Sequence, residues 1–131
     1  QLDLPDGALE TWMKNSEQQL EQITRQITQF TSFGDFLLAF VVIGVVAALT
    51  EELLFRGVLQ SLLLRHLRNA HVAIWLAAAI FSFIHLQFYG FFPRLFLGAL
   101  FGYLYFWSGH LGYPILAHFL NNGLQVLLLY L

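Results

Sequence analysis

The sequence predicts an all-α membrane helix bundle, and three observations carry that reading. The chain is 58% hydrophobic and only 11% charged, whereas a soluble domain of 131 residues needs far more polar surface. Its charges crowd towards the beginning: Asp3, Asp6, Glu10, Lys14, Glu17, Glu21, Arg25 and Asp35 leave only Glu51, Glu52, Arg56, Arg65, Arg68 and Arg94 for the rest. Long apolar stretches fill the chain beyond residue 35, each near the roughly 20 residues that cross about 30 Å of hydrocarbon.

Residues 1–35 read as an amphipathic, interfacial segment. Between positions 5 and 31, Leu9, Trp12, Met13, Leu20, Ile23, Ile27 and Phe30 recur at spacings near three and four with acids and amides between them, as a helix resting on the protein or on lipid headgroups requires. Residues 36–131 read as the membrane-embedded domain. The apolar run Phe36 to Leu49 resumes after Glu51-Glu52 from Leu53 to Leu64, forming one long or two joined helices. Residues 72–88, 92–107 and 113–131 supply the others, about four spans in all.

The breaks carry turn chemistry at Arg65-His66-Leu67-Arg68-Asn69, at Tyr89-Gly90 and at Ser108-Gly109-His110-Leu111-Gly112. Pro93 and Pro114 fall where a helix begins and a missing N–H is tolerated. Trp75, Tyr89, Trp107, Tyr113 and Tyr130 fall near helix ends, as interfacial aromatics do. Arg65 and Arg68 make the first short loop the most basic, which places it in the cytoplasm. Gly98 and Gly102 form a small-xxx-small face for close helix approach. No repeat or low-complexity segment is visible.

A net charge of -2 without a basic stripe excludes nucleic acid as a partner. The absence of Cys removes disulfides and thiolate metal sites. The chain opens on Gln without a basic-then-apolar leader, the expectation being a fragment or trimmed chain rather than one with a signal peptide.

An ionisable group at the centre of a membrane helix costs roughly 2.5–3.5 kcal/mol on insertion scales, so each such residue asks for a function. Glu51, Glu52, Arg56, His85, His118 and Asn122 are the candidates, spread over three helices. Glu52 and Arg56 are four apart and share a helical face, so they can neutralise each other. Glu51 is turned about 100° away and is left for general-base work; the structural use of the trio would be an ion-pair staple. His118 and Asn122 also share a face and can both donate to one oxygen, as an oxyanion requires, or can serve as a polar clamp between helices. Asn121 is expected to point elsewhere and only pack. His85 shares a face with Phe81, and alone would read as a core histidine. Together these side chains supply a base, a water-positioning partner and an oxyanion hole. Other proteolytic schemes fail: there is no His-Glu-x-x-His, no Gly-x-Ser-x-Gly, and only Asp35 lies near a span for an aspartyl pair.

Glu51-Glu52-Leu53-Leu54-Phe55-Arg56-Gly57, Phe81-Ser82-Phe83-Ile84-His85 and His118-Phe119-Leu120-Asn121-Asn122 resemble the EExxxR, FxxxH and HxxxN motifs of the CAAX-protease and bacteriocin-processing (CPBP, Abi) family, in that order on successive membrane helices. The resemblance runs from about residue 40 to the C-terminus. It implies an intramembrane endopeptidase in which the residue matching Glu51, with that matching His85, activates a water. Those matching His118 and Asn122 would stabilise the oxyanion, and those matching Glu52 and Arg56 would support the site. The implied partners are a peptide or protein substrate, lipidated or not, and membrane lipid; the implied location is a multi-pass position in the bacterial inner membrane. No cofactor is expected. Zinc is the alternative mechanism, since two His and two Glu can bind it, but Arg56 competes for Glu52 and an amide is a poor ligand. The alternative from another class is a non-catalytic membrane scaffold or bacteriocin-immunity protein. Members of that family usually carry more helices ahead of the EExxxR helix than this chain shows.

Overall fold

The structure, a computed structural model, describes residues 7–131. Pro5 and Asp6, at the start of the expected amphipathic segment, lie outside the described residues. Those described form five helices and no strand: α1 (Ala8–Ile27), α2 (Phe33–Leu67), α3 (Ala70–Phe83), α4 (Phe91–Ser108) and α5 (Gly112–Tyr130). The class is all-α, as expected.

Helix α1 buries no residue. Two exposed ion pairs at the i,i+4 spacing, Glu10–Lys14 and Glu21–Arg25, both 2.6 Å, run along it, and the Trp12 ring meets Phe88 edge-on at 5.5 Å. Leu9, Ile23 and Ile27 stay exposed while Met13 and Leu20 are half-buried, so the apolar stripe expected of this helix is only partly covered. The helix stops at Ile27 rather than near residue 31 because a capping box starts the next one. Ser32 Oγ accepts from Asp35 N at 3.2 Å, and Asp35 Oδ2 accepts from Ser32 N at 2.9 Å, each satisfying an orphan donor of the first turn.

Helix α2 settles the choice between one long and two joined helices: it is continuous over 35 residues. Within it lie two π-helical stretches, Phe40–Val46 and Leu53–Gln60, flanking an α-helical stretch, Ala47–Glu52. Each π turn inserts a residue relative to the α period and shifts where the next side chains point. The helix ends on Arg68, which caps it in the left-handed region with φ 54. Asn69 then caps α3 by accepting from Val72 N at 3.1 Å.

Helix α3 ends at Phe83, earlier than the sequence suggested, and Leu86 at φ 52 turns the chain back. His85 therefore sits just beyond the helix and not on its last turn. Pro93 and Pro114 fall in the first turns of α4 and α5, as expected. Gly109, at φ 66, ends α4 in the left-handed conformation that glycine enters without strain.

The small-xxx-small face of α4 is where three helices meet. A Cβ at Gly98 would meet Ala78 Cβ and Phe81 Cδ1 of α3 at 3.2 Å, and one at Gly102 would meet Gln60 Oε1 of α2 at 2.7 Å and Ile74 Cγ2 of α3 at 2.8 Å. Ile74, Ala78 and Ala99 form the buried core of this junction, with Leu95 and Tyr103 against it. Helix α5 packs along the first π stretch of α2, where Gly44 and Gly123 let Phe119 and Phe40 interlock at ring centroids 5.6 Å apart.

Among the described residues one helix, α2, is long and apolar enough to cross a membrane, and only 17% of its most apolar window is buried. Helix α3 has 14 residues. Helix α4 ends in Tyr103, Tyr105, Trp107 and Ser108, and α5 carries His118, Asn121, Asn122 and Gln125, so neither matches the apolarity of α2.

Candidate active site

The buried polar residues of α2 lie on one ladder at i,i+4 spacing: Glu52, Arg56 and Gln60. All three are withdrawn from solvent, at 0%, 1% and 0% exposure. Arg56 Nη1 donates to Glu52 Oε1 at 2.8 Å and its Nη2 donates to the Gly98 carbonyl at 2.7 Å. Gln60 Nε2 donates to the Gly102 carbonyl at 3.0 Å. At Gly102 the missing Cβ also makes room for the Gln60 side chain, whereas at Gly98 that space is taken by Ala78 and Phe81. The guanidinium also lies 5.0 Å from the Phe81 ring centroid and 5.5 Å from that of Phe101, within cation–π range. Removing one member of such a buried pair strands the other charge in low dielectric.

His118, 4% exposed, extends this network from α5. Its Nδ1 lies 2.7 Å from Glu52 Oε1. Because a carboxylate only accepts, that nitrogen carries the proton. The ring stacks on Phe101 at a centroid distance of 5.1 Å, which fixes its plane. Nε2, on the other side, lies 3.7 Å from Glu51 Oε2. That is too far for a direct hydrogen bond.

Glu51 is the carboxylate left over. Its side chain is 29% exposed, against 0% for Glu52, and it reaches a cavity of about 560 Å³. The same cavity is lined by His85, His118, Asn121 and Asn122. The structure thus brings Glu51, His85, His118 and Asn122, named from the sequence, to one chamber, with Glu52 and Arg56 buried behind it. His85 Nδ1 faces the Phe81 carbonyl at 2.7 Å and donates to it, leaving Nε2 with the lone pair when the ring is neutral. Asn122 Nδ2 donates to the Ile43 carbonyl at 3.1 Å, in the first π stretch of α2. Its Oδ1 accepts from Asn121 Nδ2 at 3.1 Å. The amide is held from both ends, with its second N–H still unspent.

Asn121 corrects the sequence expectation. It lines the cavity and orients Asn122, because residues three apart on a helix are neighbours just as residues four apart are. Gln60 and Gln125 were also missed. Gln60 continues the 52, 56 spacing by another four, and Gln125 continues 118, 121 and 122 along the stripe facing the cavity. The π stretches left no trace in the residue pattern. A third side chain without a role from the sequence, Arg94, lies on the same wall.

A zinc site needs three or four well-placed nitrogen, sulfur or carboxylate ligands. No group of three or more His, Cys, Asp or Glu placed to hold a metal occurs among the described residues. His118 Nδ1 and Arg56 both engage Glu52, so the donor set does not fit a metal ion.

An uncharacterized Bacillus subtilis (strain 168) protein, YpbD, is 34% identical to this chain over 80 residues, covering 58% of this chain and 38% of YpbD. The chain thus spans well under half the length of the curated relative it matches. No solved structure matches it. The model of the Type II CAAX prenyl endopeptidase Rce1-like family matches residues 33–124, a stretch that holds α2 to α4, most of α5 and Glu51, Glu52, Arg56, His85, His118 and Asn122. By that match, the chain belongs to the Type II CAAX prenyl endopeptidase Rce1-like family.

Proposed function

We propose that this chain is the membrane-embedded catalytic portion of an intramembrane endopeptidase that hydrolyses a peptide bond with a glutamate-activated water. The observation that carries the reading is the sharing of one cavity by Glu51, His85, His118 and Asn122. In the mechanism, Glu51 is the general base. Its 3.7 Å separation from His118 Nε2 suits a water that touches both. The lone pair of His85 Nε2 helps orient that water. As the water attacks, Glu51 takes its proton and the carbonyl oxygen gains negative charge, which the free N–H of Asn122 and a protonated His118 Nε2 stabilise; the adduct then collapses, the C–N bond breaks, and Glu51 returns the proton to the leaving amine. Glu52 and Arg56 touch no reacting atom; they hold His118 in its tautomer and plane.

A scaffold would also use the Arg56 and Gln60 contacts, since both staple α2 to α4. It would have less use for a carboxylate that no described Lys or Arg pairs with and that meets only an imidazole, at 3.7 Å. We read the helices from α2 onward, residues 36–131, as a multi-pass bundle and α1 as an interfacial segment. The exposed Leu53, Leu54, Ile80, Phe96, Leu100, Leu120, Leu124 and Leu128 give every helix of that bundle an apolar outer face, which lipid satisfies. The cytoplasmic placement of the Arg65–Arg68 loop and the bacterial inner membrane belong to the same reading.

The test is turnover by the full chain in proteoliposomes, with internally quenched apolar peptides as substrates. Cleavage is expected to fall by about 10²–10³-fold in Asn122→Ala, the size of effect seen when an oxyanion donor is lost, and to withstand metal chelation. Cleavage at the native rate in Asn122→Ala would refute the oxyanion role. Loss of activity on chelation with recovery on adding zinc would establish the metal mechanism instead.

A further inference from the structure

Charge is divided unevenly between the two ends of the helices. From residue 53 onward the chain has no Asp or Glu. The acids of α1 belong to the end where Trp12 meets Phe88, in the link between α3 and α4, and where Phe36 of α2 stacks on Tyr130 of α5. At the opposite end, where α2 finishes, α3 starts and α4 finishes, Arg65 and Arg68 stand exposed. Neither forms an ion pair among the described residues, so two positive charges sit together without a counter-charge from the protein.

The surface beside them offers a further donor. His71 Nδ1 lies 2.7 Å from Tyr103 Oη, joining α3 to α4. If the hydroxyl donates, the neutral ring carries its proton on Nε2; if the ring donates, the phenolic O–H is free. Either tautomer leaves one donor for an outside acceptor. Trp107 stacks on Tyr103 at a centroid distance of 5.0 Å and is itself exposed, as aromatic rings are at the level of lipid headgroups. Arg68 holds the left-handed cap of α2, at φ 54, a place that glycine takes without strain. A charged side chain is kept there against the preference of the backbone.

We propose that this end of the bundle binds the headgroup phosphate of an anionic phospholipid through Arg65 and Arg68, with the His71–Tyr103 pair as a third donor. The inference rests on the membrane-spanning reading given above and not on hydrolysis. Basic residues just beyond a spanning helix attract anionic lipid, and arginine's planar fork matches two phosphate oxygens. A free phosphate offers the same oxygens. The exposed Leu62, Leu67 and Val72 flanking the arginines favour the lipid, whose acyl chains they can meet.

The experiment reads lipid preference at each end separately. The full chain is reconstituted in liposomes with Trp107 as its only tryptophan (Trp12→Phe, Trp75→Phe). Quenching of its fluorescence by phosphatidylglycerol or phosphatidylcholine with brominated acyl chains gives the relative affinity of the two lipids. Phosphatidylglycerol is expected to be preferred about 5-fold or more. The preference should fall with Arg65→Gln, fall with Arg68→Gly, a substitution that the left-handed cap favours, and disappear when both are present. With Trp12 as the only tryptophan (Trp75→Phe, Trp107→Phe), at the opposite end, no preference is expected. Equal quenching by the two lipids, a preference that survives the double substitution, or the same preference at Trp12 overturns the lipid site. So does its loss on adding inorganic phosphate at constant ionic strength, which would assign the arginines to a free phosphate. Absence of quenching by either lipid would overturn the membrane-spanning reading as well, whereas equal quenching leaves that reading standing.

Discussion

Arg56 touches no part of the cavity, yet it organises what does. Its two nitrogens bridge Glu52 on its own helix and the Gly98 carbonyl on α4, and Glu52 Oε1 in turn receives His118. Replacing Arg56 by Met would leave Glu52 buried at 0% exposure without its cation. We expect a loss of about 3–5 kcal/mol, read as a lower unfolding midpoint in detergent micelles. An unchanged midpoint would mean that the pair contributes nothing to folding. At this scale the sequence was most readable, because expensive polar residues on apolar helices have few reasons to exist. Glu51, Glu52, Arg56, His85, His118 and Asn122 could all be named from spacing and family motifs. Arg94 could not, since an arginine near a helix start passes as an interfacial anchor until the fold shows its guanidinium folded over Gly90 into the cavity.

Helix α2 shows how local backbone geometry sets the site. The pair Glu51-Glu52 lies on the short α-helical stretch between two π stretches. The widened turns open carbonyls to side chains: Ile43 O accepts Asn122, and Arg56 O accepts Ser61 Oγ at 3.0 Å. Nothing in Phe40–Val46 or Leu53–Gln60 announces this, because a π turn is chosen by tertiary hydrogen bonding and packing, which a residue pattern does not encode. The glycine face of α4 was legible as a packing face; its second use, offering carbonyls to Arg56 and Gln60, was not. Two substitutions separate these effects. Gly102→Val would drive a side chain into Gln60 and Ile74, already 2.7 and 2.8 Å from a Cβ, and should cost about 1–3 kcal/mol from overpacking. Gly57→Ala meets only Leu111 Cδ1 at an ordinary 3.5 Å and should leave the unfolding midpoint unchanged or raise it slightly. Equal effects would contradict the tight contact at Gly102.

For the whole molecule, the all-α class was legible from composition, while the number of spans was not, because α4 and α5 trade apolarity for aromatic ends and for the polar stripe that faces the cavity. At about 1.5 Å per residue, the 35 residues of α2 make a helix longer than the roughly 30 Å of hydrocarbon. The chain has no Cys, so an introduced one reports alone. In the bundle reading, His66→Cys and His110→Cys should react with an impermeant maleimide from one side of sealed vesicles and Tyr89→Cys from the other. Labelling of all three from the same side would refute a bundle in which α3 and α4 cross.

The central claim is that a single carboxylate, Glu51, drives bond cleavage in the shared chamber. Its most direct test is the rate of peptide hydrolysis by Glu51→Gln and wild-type protein, compared at equal amounts of folded chain in liposomes. A fall of about 10²–10⁴-fold, the range for losing a general base, with an unchanged unfolding midpoint is the outcome expected. Cleavage at the wild-type rate by folded Glu51→Gln would contradict it.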